Sequence, residues 1–487
     1  MNSNGRSIAE APFLKHNRHM HAVPQSRFDI IALALPYGLG FGRSPPIECW
    51  ESEDKIACGI VLRDDGGSFG AQVMRRREDD VWTVTLRREG LINRTAAFAL
   101  LEPAMRDGAP REPIPAGVQR RPSLGDLAGG APSNIFKLLV QPTHHVAAWL
   151  LNQVYLAMPK PDPNWVRDCQ TQNFHTRLWE ALLVACFREQ GLKVSQDFPS
   201  PDFLIANRRG DEAWVEAVTA NSVEPYDHYN AKPSPPPEDL SEGLLGETAA
   251  RFAKTIRSKL QRRYHELPHV VDKIFAIAIA DFHAPGSMIW SRPSLLGYLY
   301  GLDIHVEQKN GVRSATQQVA ETLRTDQPIP AGLFRSAEHQ ELSAILFSNA
   351  CSIAKFNRVG VSAGAQTAGL RYVRIGTFFD RAPGVLESIP FCMDITSDEY
   401  RRLWPQRYEP WSAELEIFHN PFARHPWPSS LLREATHWRL TDGEVTCESF
   451  YETSILWSRT MVLGSAQPMP TVEQFFPDQH PLMMPDD

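Results

Sequence analysis

The chain lacks the paired cysteines that staple small secreted folds. Its seven cysteines (Cys49, Cys58, Cys169, Cys186, Cys351, Cys392, Cys447) are odd in number, scattered and without a C-x-x-C pair. That excludes a disulfide framework and a thiolate zinc site as organising devices, and it makes a reducing cytoplasm the expected compartment. Long apolar runs are also missing. Stretches such as Ile274 to Ala280 fall far short of the roughly 20 residues a membrane span needs, and Met1 to Arg6 shows no apolar core of a secretory signal. Positive charge is scarce: 50 Lys and Arg against 57 Asp and Glu leave a net charge of −7. A protein that coats nucleic acid is normally basic, so any phosphate contact would need a local patch on an acidic body. Phosphate-cradling motifs are absent too, with no Gly-Lys-Ser/Thr loop, no G-x-S-x-G elbow and no dinucleotide fingerprint. Gly38-Leu39-Gly40-Phe41-Gly42 is glycine-rich, but no Lys or Ser/Thr is placed to use it, which disfavours ATP-driven chemistry.

What is present is a globular composition, 43% hydrophobic and 10% aromatic over 487 residues. That length exceeds what one core serves, and two or three domains are expected. Residues 1–26 are polar and read as a loose tail. Residues 27–106 alternate like strands at Asp29 to Leu35, Lys55 to Leu62 and Val81 to Leu86, and a helix from about Thr95 to Met105 closes this β-rich domain. Residues 107–170 are a linker followed by a helical connector, with the helix running from about Ser133 to Ala157. Residues 171–300 read in the order α-β-β-β-α-β: helix Phe174 to Glu189 stopped by Gly191, then strands at Leu192 to Phe198, Asp202 to Ala206 and Ala213 to Ala220. A long loop from Ser222 to Gly246 leads to a helix from about Glu247 to Leu267 and a strand from Lys273 to Ala280. That order predicts an α/β mixed sheet flanked by helices. Residues 301–487 form an α+β extension, either separate from the central sheet or continuous with it.

The chemistry-bearing residues lie in the central region. Glu180 sits in a helix that is apolar nearly all round, where an ionised carboxylate costs several kcal/mol unless it is compensated. The compensation is a cation, either an arginine such as Arg177 or a metal. Asp202 follows Pro201 at the mouth of one strand, and Glu216 lies between Val215 and Ala217 in the next. Two strands joined by a hairpin can bring such carboxylates together around a Mg²⁺ ion, which prefers hard oxygen ligands and keeps waters.

Pro201-Asp202, the Glu216-Ala217-Val218 tripeptide and the upstream Glu180 together resemble the PD-(D/E)XK, or restriction-endonuclease-like, nuclease superfamily. The resemblance covers roughly residues 174–281. It implies a restriction-endonuclease-like fold, metal ligation by Asp202 and Glu216 with Glu180 as an outer ligand, Mg²⁺ or Mn²⁺ as cofactor, and DNA as substrate, with bacterial defence or DNA processing as the context. The family expects Lys two residues after the Glu, where this chain has Val218. Within the superfamily that lysine can come from the following helix, where Lys254 and Lys259 are the substitutes. More loosely, Glu216 to Asn221, Ala280 to His283, Lys355 to Arg358 and His419 to Pro421 look like blocks of long uncharacterised bacterial proteins, which implies no activity.

Between Arg251 and Arg263 there are six basic residues (Arg251, Lys254, Arg257, Lys259, Arg262, Arg263) and no acidic one. An apolar stripe of Phe252, Ala253, Ile256, Leu260 and Tyr264 runs beside them, so the helix is a candidate grip on a phosphodiester backbone. His144, His145, His283, His419, His425 and His437 lack an established ligand spacing and read as core or capping residues. The alternative to a nuclease is a catalytically silent module that keeps the fold to bind nucleic acid or a protein partner, such as another member of a multi-component system.

Overall fold

The computed structural model describes residues 20–33, 46–126, 129–222, 245–309, 312–380 and 388–477. The Gly38–Gly42 segment and nearly all of the Ser222–Gly246 loop lie outside them. The chain divides into two compact units, residues 1–126 with 152–158 and residues 127–151 with 159–487. It is a mixed α/β protein, with an antiparallel sheet in the first unit and an eight-stranded mixed sheet in the second.

In the first unit, β1 (Met20–Ala22), β2 (Pro46–Ser52), β3 (Ala57–Arg63), β4 (Phe69–Arg76) and β5 (Trp82–Leu91) form a five-stranded antiparallel meander. Helix α1 (Gln25–Leu33) follows β1, and α2 (Arg94–Ala104) follows β5. Both faces of the sheet are covered. One core joins Phe28 and Ile31 to Ile60, Leu62 and Trp82; the other joins Ala97 and Leu101 of α2 to Val61 and Val73. Two-sided cover is why β3 is buried at six successive positions and reads as an unbroken apolar run. Gly59 makes room for α2, because a Cβ there would sit 2.2 Å from the Met105 sulfur. Two expectations change. Residues 20–22, placed in the loose tail, pair with β2. Asp29 to Leu33, read as a strand, is helical, because a short apolar run carries no period that separates a buried helix from a buried strand.

α3 (Asn134–Leu139), in the second unit, and α4 (His145–Ala157), whose residues from Asn152 on belong to the first, replace the single helix expected from Ser133 to Ala157. Pro142 starts a separate turn between them, since it has no N–H to continue the first. Then come α5 (Trp165–Gln170), α6 (Phe174–Glu189), β6 (Lys193–Ser195), β7 (Phe203–Ala206), β8 (Glu212–Asn221), α7 (Glu247–Leu260), β9 (Ile274–Phe282) and α8 (Arg292–Tyr300). After a two-stranded ribbon, β10 (Leu302–Lys309) and β11 (Val312–Val319), the chain continues with β12 (Ala344–Ser348), α9 (Ile353–Ser362), β13 (Leu370–Phe379) and β14 (Ser388–Asp394). It then runs through β15 (Leu415–His419), β16 (Thr436–Thr441), β17 (Glu444–Ser449) and β18 (Ile455–Gly464).

The large sheet has the order β17-β16-β15-β12-β9-β8-β7-β6. The α-β-β-β-α-β order is as read. The C-terminal region adds four strands to the same sheet, which settles the choice the sequence leaves open. β14, β13 and β18 make a separate three-stranded sheet. β8, β9 and β12 run parallel, while β7 is antiparallel to β8.

Side chains alternate across this sheet. On one face, Trp214, Val218, Phe275, Ile277 and Ile279 pack with Ala249, Phe252 and Ile256 of α7. The other face is alanine-rich, with Ala213, Ala217, Ala276, Ala278 and Ala280 all buried. Those small residues let α6 lie close: the Trp179 indole N–H reaches the Ala278 carbonyl at 3.1 Å, and Thr176 meets Thr219 at 3.1 Å. Among the described residues no helix is long and apolar enough to cross a membrane.

Candidate functional site

The register of the β7–β8 hairpin places the two carboxylates. Phe203 pairs with Val215, so Asp202, just before β7, comes beside Glu216 on the same sheet face. Asp202 accepts the Ala217 N–H at 2.7 Å, which fixes its carboxylate where β7 begins. Glu216 is 4% exposed, and its Oε1 accepts both the Lys259 ammonium at 2.6 Å and the Tyr264 hydroxyl at 2.7 Å. Its Oε2 is buried with no hydrogen-bond partner.

Lys259 reaches inward because it continues the buried stripe of α7. Ala249, Phe252, Ala253 and Ile256 follow the 3–4 spacing of one helical face, and Lys259 is the next position on it. Lys254 is five residues earlier, about 140° around the helix, and is exposed. Of the two proposed substitutes, only Lys259 meets the carboxylates. Val218, where the resemblance expects lysine, packs against the apolar core under α7.

Glu180 approaches from the opposite helix. It is held by Arg177 at 2.8 and 3.0 Å and by the Trp165 indole N–H at 3.0 Å, while Arg177 also bonds Asp168 at 2.5 Å. The arginine weighed as its partner is therefore its partner. Burial raises the Glu180 carboxyl above its usual range, against the pull of Arg177.

Asp202 is perturbed most clearly. Burial, then the charge of Glu216, then that of Glu180 push its pKa up to about 8, and the Ala217 N–H and Lys259 offset this in part. Two carboxylates, one of them paired with an ammonium, one unsatisfied oxygen and one proton held at neutral pH form an electrostatically unfinished cluster. Among the described residues no group of three or more His, Cys, Asp and Glu side chains stands ready to hold a metal unaided. That does not exclude Mg²⁺, which commonly takes one or two carboxylates and completes its shell with water and substrate phosphate. Judged by the unpartnered Glu216 oxygen and the raised Asp202, the residues present fit such an ion.

The basic residues are dispersed. α7 ends at Leu260, not Leu267. Arg263 lies beyond it at φ 52° and pairs with Glu266. Arg251 bonds Glu247, and Arg257 bonds the Tyr298 hydroxyl. Arg262 is the second cation near the cluster: it donates to the Tyr264 hydroxyl at 3.3 Å and feels the charges of Glu216 and Asp202.

His419 and His437, read as core or capping residues, touch at 2.8 Å between β15 and β16, and burial lowers them to about 3 and about 4, so they are neutral core histidines. A buried network joins Lys355, Arg358 and Arg374 to Glu409 and Glu414. The Lys355 to Arg358 block was visible, but its glutamates arrive from some fifty residues downstream, and nothing in the spacing announces them. No family model, curated protein or solved structure matches the chain.

Proposed function

We propose that the second unit is a restriction-endonuclease-like module whose Asp202, Glu216 and Lys259 hydrolyse phosphodiester bonds in DNA with a divalent cation, Mg²⁺ or Mn²⁺. The observation that carries this reading is the pairing of Asp202 with Glu216 across the β7–β8 hairpin, with the Lys259 ammonium 2.6 Å from Glu216. The pair supplies the two carboxylates, and Lys259 brings from α7 the cation that Val218 cannot. Asp202 and Glu216 would hold the ion, with Glu180 behind them. Once bound there, the cation would neutralise phosphate charge and acidify a water.

The protein's own groups then have distinct tasks. The Ala217 N–H orients Asp202 and favours its ionised form. Tyr264 and Lys259 fix one oxygen of Glu216 and leave the other to a ligand. Lys259 and Arg262 put positive charge beside the place where a phosphate would sit, as phosphoryl chemistry requires. Arg177 keeps Glu180 anchored in α6.

The test is cleavage of supercoiled, linear and single-stranded DNA with Mg²⁺ or Mn²⁺, with Glu216→Ala protein beside the wild type. Cutting by the wild type alone supports the reading. Cutting by both proteins removes Glu216 from the mechanism. No cutting by either, with both folded, leaves the fold as a binding module in which Lys259–Glu216 is a structural ion pair.

A further inference from the structure

At the carboxyl ends of β8 and β9 the second unit contains a cavity of about 960 Å³, a volume ample for a small ligand. It is walled by the start of α6, by α5, by Asn221 and Ser222 at the end of β8, and by Phe282 at the end of β9. Crevices at the carboxyl ends of parallel strands are where open α/β sheets take their ligands. We propose that this cavity binds one nucleotide, with the base against a ring pair and the phosphate at the start of α6. This rests on the phosphodiesterase reading, whose substrate it narrows to strands that can present an unpaired base.

Three features point to that chemistry. His175 and Phe282 both line the cavity and lie flat on one another, with centroids 4.0 Å apart and planes 7° apart, so that part of the wall is aromatic. Bases of any sequence stack on such walls. Opposite in character are Arg167 and the first turn of the sixteen-residue α6, whose residues Phe174, His175 and Thr176 also line it. The opening amides of a helix have no acceptor within it, and Asn173 at the start of α6 makes no side-chain cap. A phosphate would find there an exposed guanidinium, amides and the positive end of the helix dipole. Third, the one carboxylate among the described wall residues, Asp168, is neutralised by Arg177 at 2.5 Å and so repels an anion weakly.

The position suits the substrate. Thr176 lines the cavity, bonds Thr219 of β8 and lies one helical turn before Glu180. The pocket thus shares α6 and β8 with the carboxylate cluster and lies at the end of β8, five positions, or roughly 17 Å of strand, beyond Glu216.

Equilibrium binding tests this without catalysis. Full-length Asp202→Ala protein in EDTA would be titrated with a fluorescent ten-residue oligothymidylate, with thymidine monophosphate and with blunt duplex. Saturable binding of the oligonucleotide, or of the mononucleotide, that weakens about tenfold or more in both Arg167→Ala and His175→Ala supports the pocket. Oligonucleotide alone identifies a strand as the ligand; the mononucleotide as well identifies a free nucleotide. Arg167 is exposed, so its variant keeps the fold, and His175→Phe should keep the stack and the binding. Unchanged affinity in both alanine variants, or no binding of either probe, overturns the inference. Should the probes bind and both alanine variants fail while the wild type cuts nothing, the hydrolytic reading falls and the nucleotide pocket stands.

Discussion

The second unit buries charge in two places, and they are opposites. Around Glu409 and Glu414, two carboxylates are shared by three cations, Lys355, Arg358 and Arg374. Every carboxylate oxygen there has a donor, with Tyr400 and Arg358 completing Glu409. Arg358, Lys355 and Arg374 hold Glu409 well below the usual carboxylate range despite complete burial. Around Asp202 and Glu216 the balance is reversed. Among the described residues the one ammonium bonds only Glu216, whose other oxygen has no partner, and Asp202 is pushed up to about 8. The first network is complete and has nothing left to bind. The second keeps a carboxyl protonated and a carboxylate oxygen unfilled, and groups perturbed in this way mark candidate functional sites.

The contrast can be broken most forcefully at the closed network. Glu409→Ala leaves three buried cations with one carboxylate, and urea unfolding should show a loss of about 3–5 kcal/mol. An unchanged midpoint would mean the network is not what holds β13, α9 and the turn before β15 together. At the open cluster the same kind of deletion should do the reverse. Glu216→Ala should lower DNA cleavage at least roughly 10³-fold while the unfolding midpoint moves little; unfolding of this variant would make Glu216 structural. Lys259→Ala should reduce the rate by on the order of 10²-fold, and Lys254→Ala should change it less than about twofold because its side chain is exposed. Equal effects of the two lysine variants would refute the inward placement of Lys259.

Titration sharpens the contrast further, because the signs oppose. Asp202 is raised in the folded state, so between pH 4 and 8 the folded chain holds a proton that the unfolded chain has released. Its contribution is full below about pH 4 and is lost as pH rises through about 8. Without divalent metal, Asp202→Asn should therefore gain about 4 kcal/mol on the wild type between pH 5 and 8.5. Saturating Mg²⁺ should cancel that gain by favouring the ionised carboxyl. Glu409 is depressed, so its contribution is present above the usual carboxylate range and is lost on acidification through the folded value. A wild-type chain with no alkaline loss of stability in EDTA would contradict the state assigned to Asp202.

Much of the central architecture was legible because the relevant contacts are local. Helix α6 is continuous and stops at Gly191, which takes φ 73°. The β7–β8 hairpin has a short turn, so the proximity of Asp202 and Glu216 follows from strand pairing alone. The choice between Lys254 and Lys259 was also legible in principle, since only Lys259 continues the Ala249, Phe252, Ala253, Ile256 stripe. What escaped was non-local. The Glu409 network draws on residues from 355 to 414, and the cavity on residues from 129 to 282. No period or motif links such positions. Helix α1 was misread for a different reason, since Ile30-Ile31 is equally apolar in either structure.

The alanine face beneath α6 has a mechanical consequence. Ala276, Ala278 and Ala280 leave room on the sheet for the Trp179 side chain of α6, whose indole N–H reaches the Ala278 carbonyl at 3.1 Å. A bulkier residue there would lift the whole rod. The rod carries the cavity wall at His175 and Thr176 and the carboxylate at Glu180 one turn later. Occupancy at one end and alignment at the other are thus tied to a single seating height.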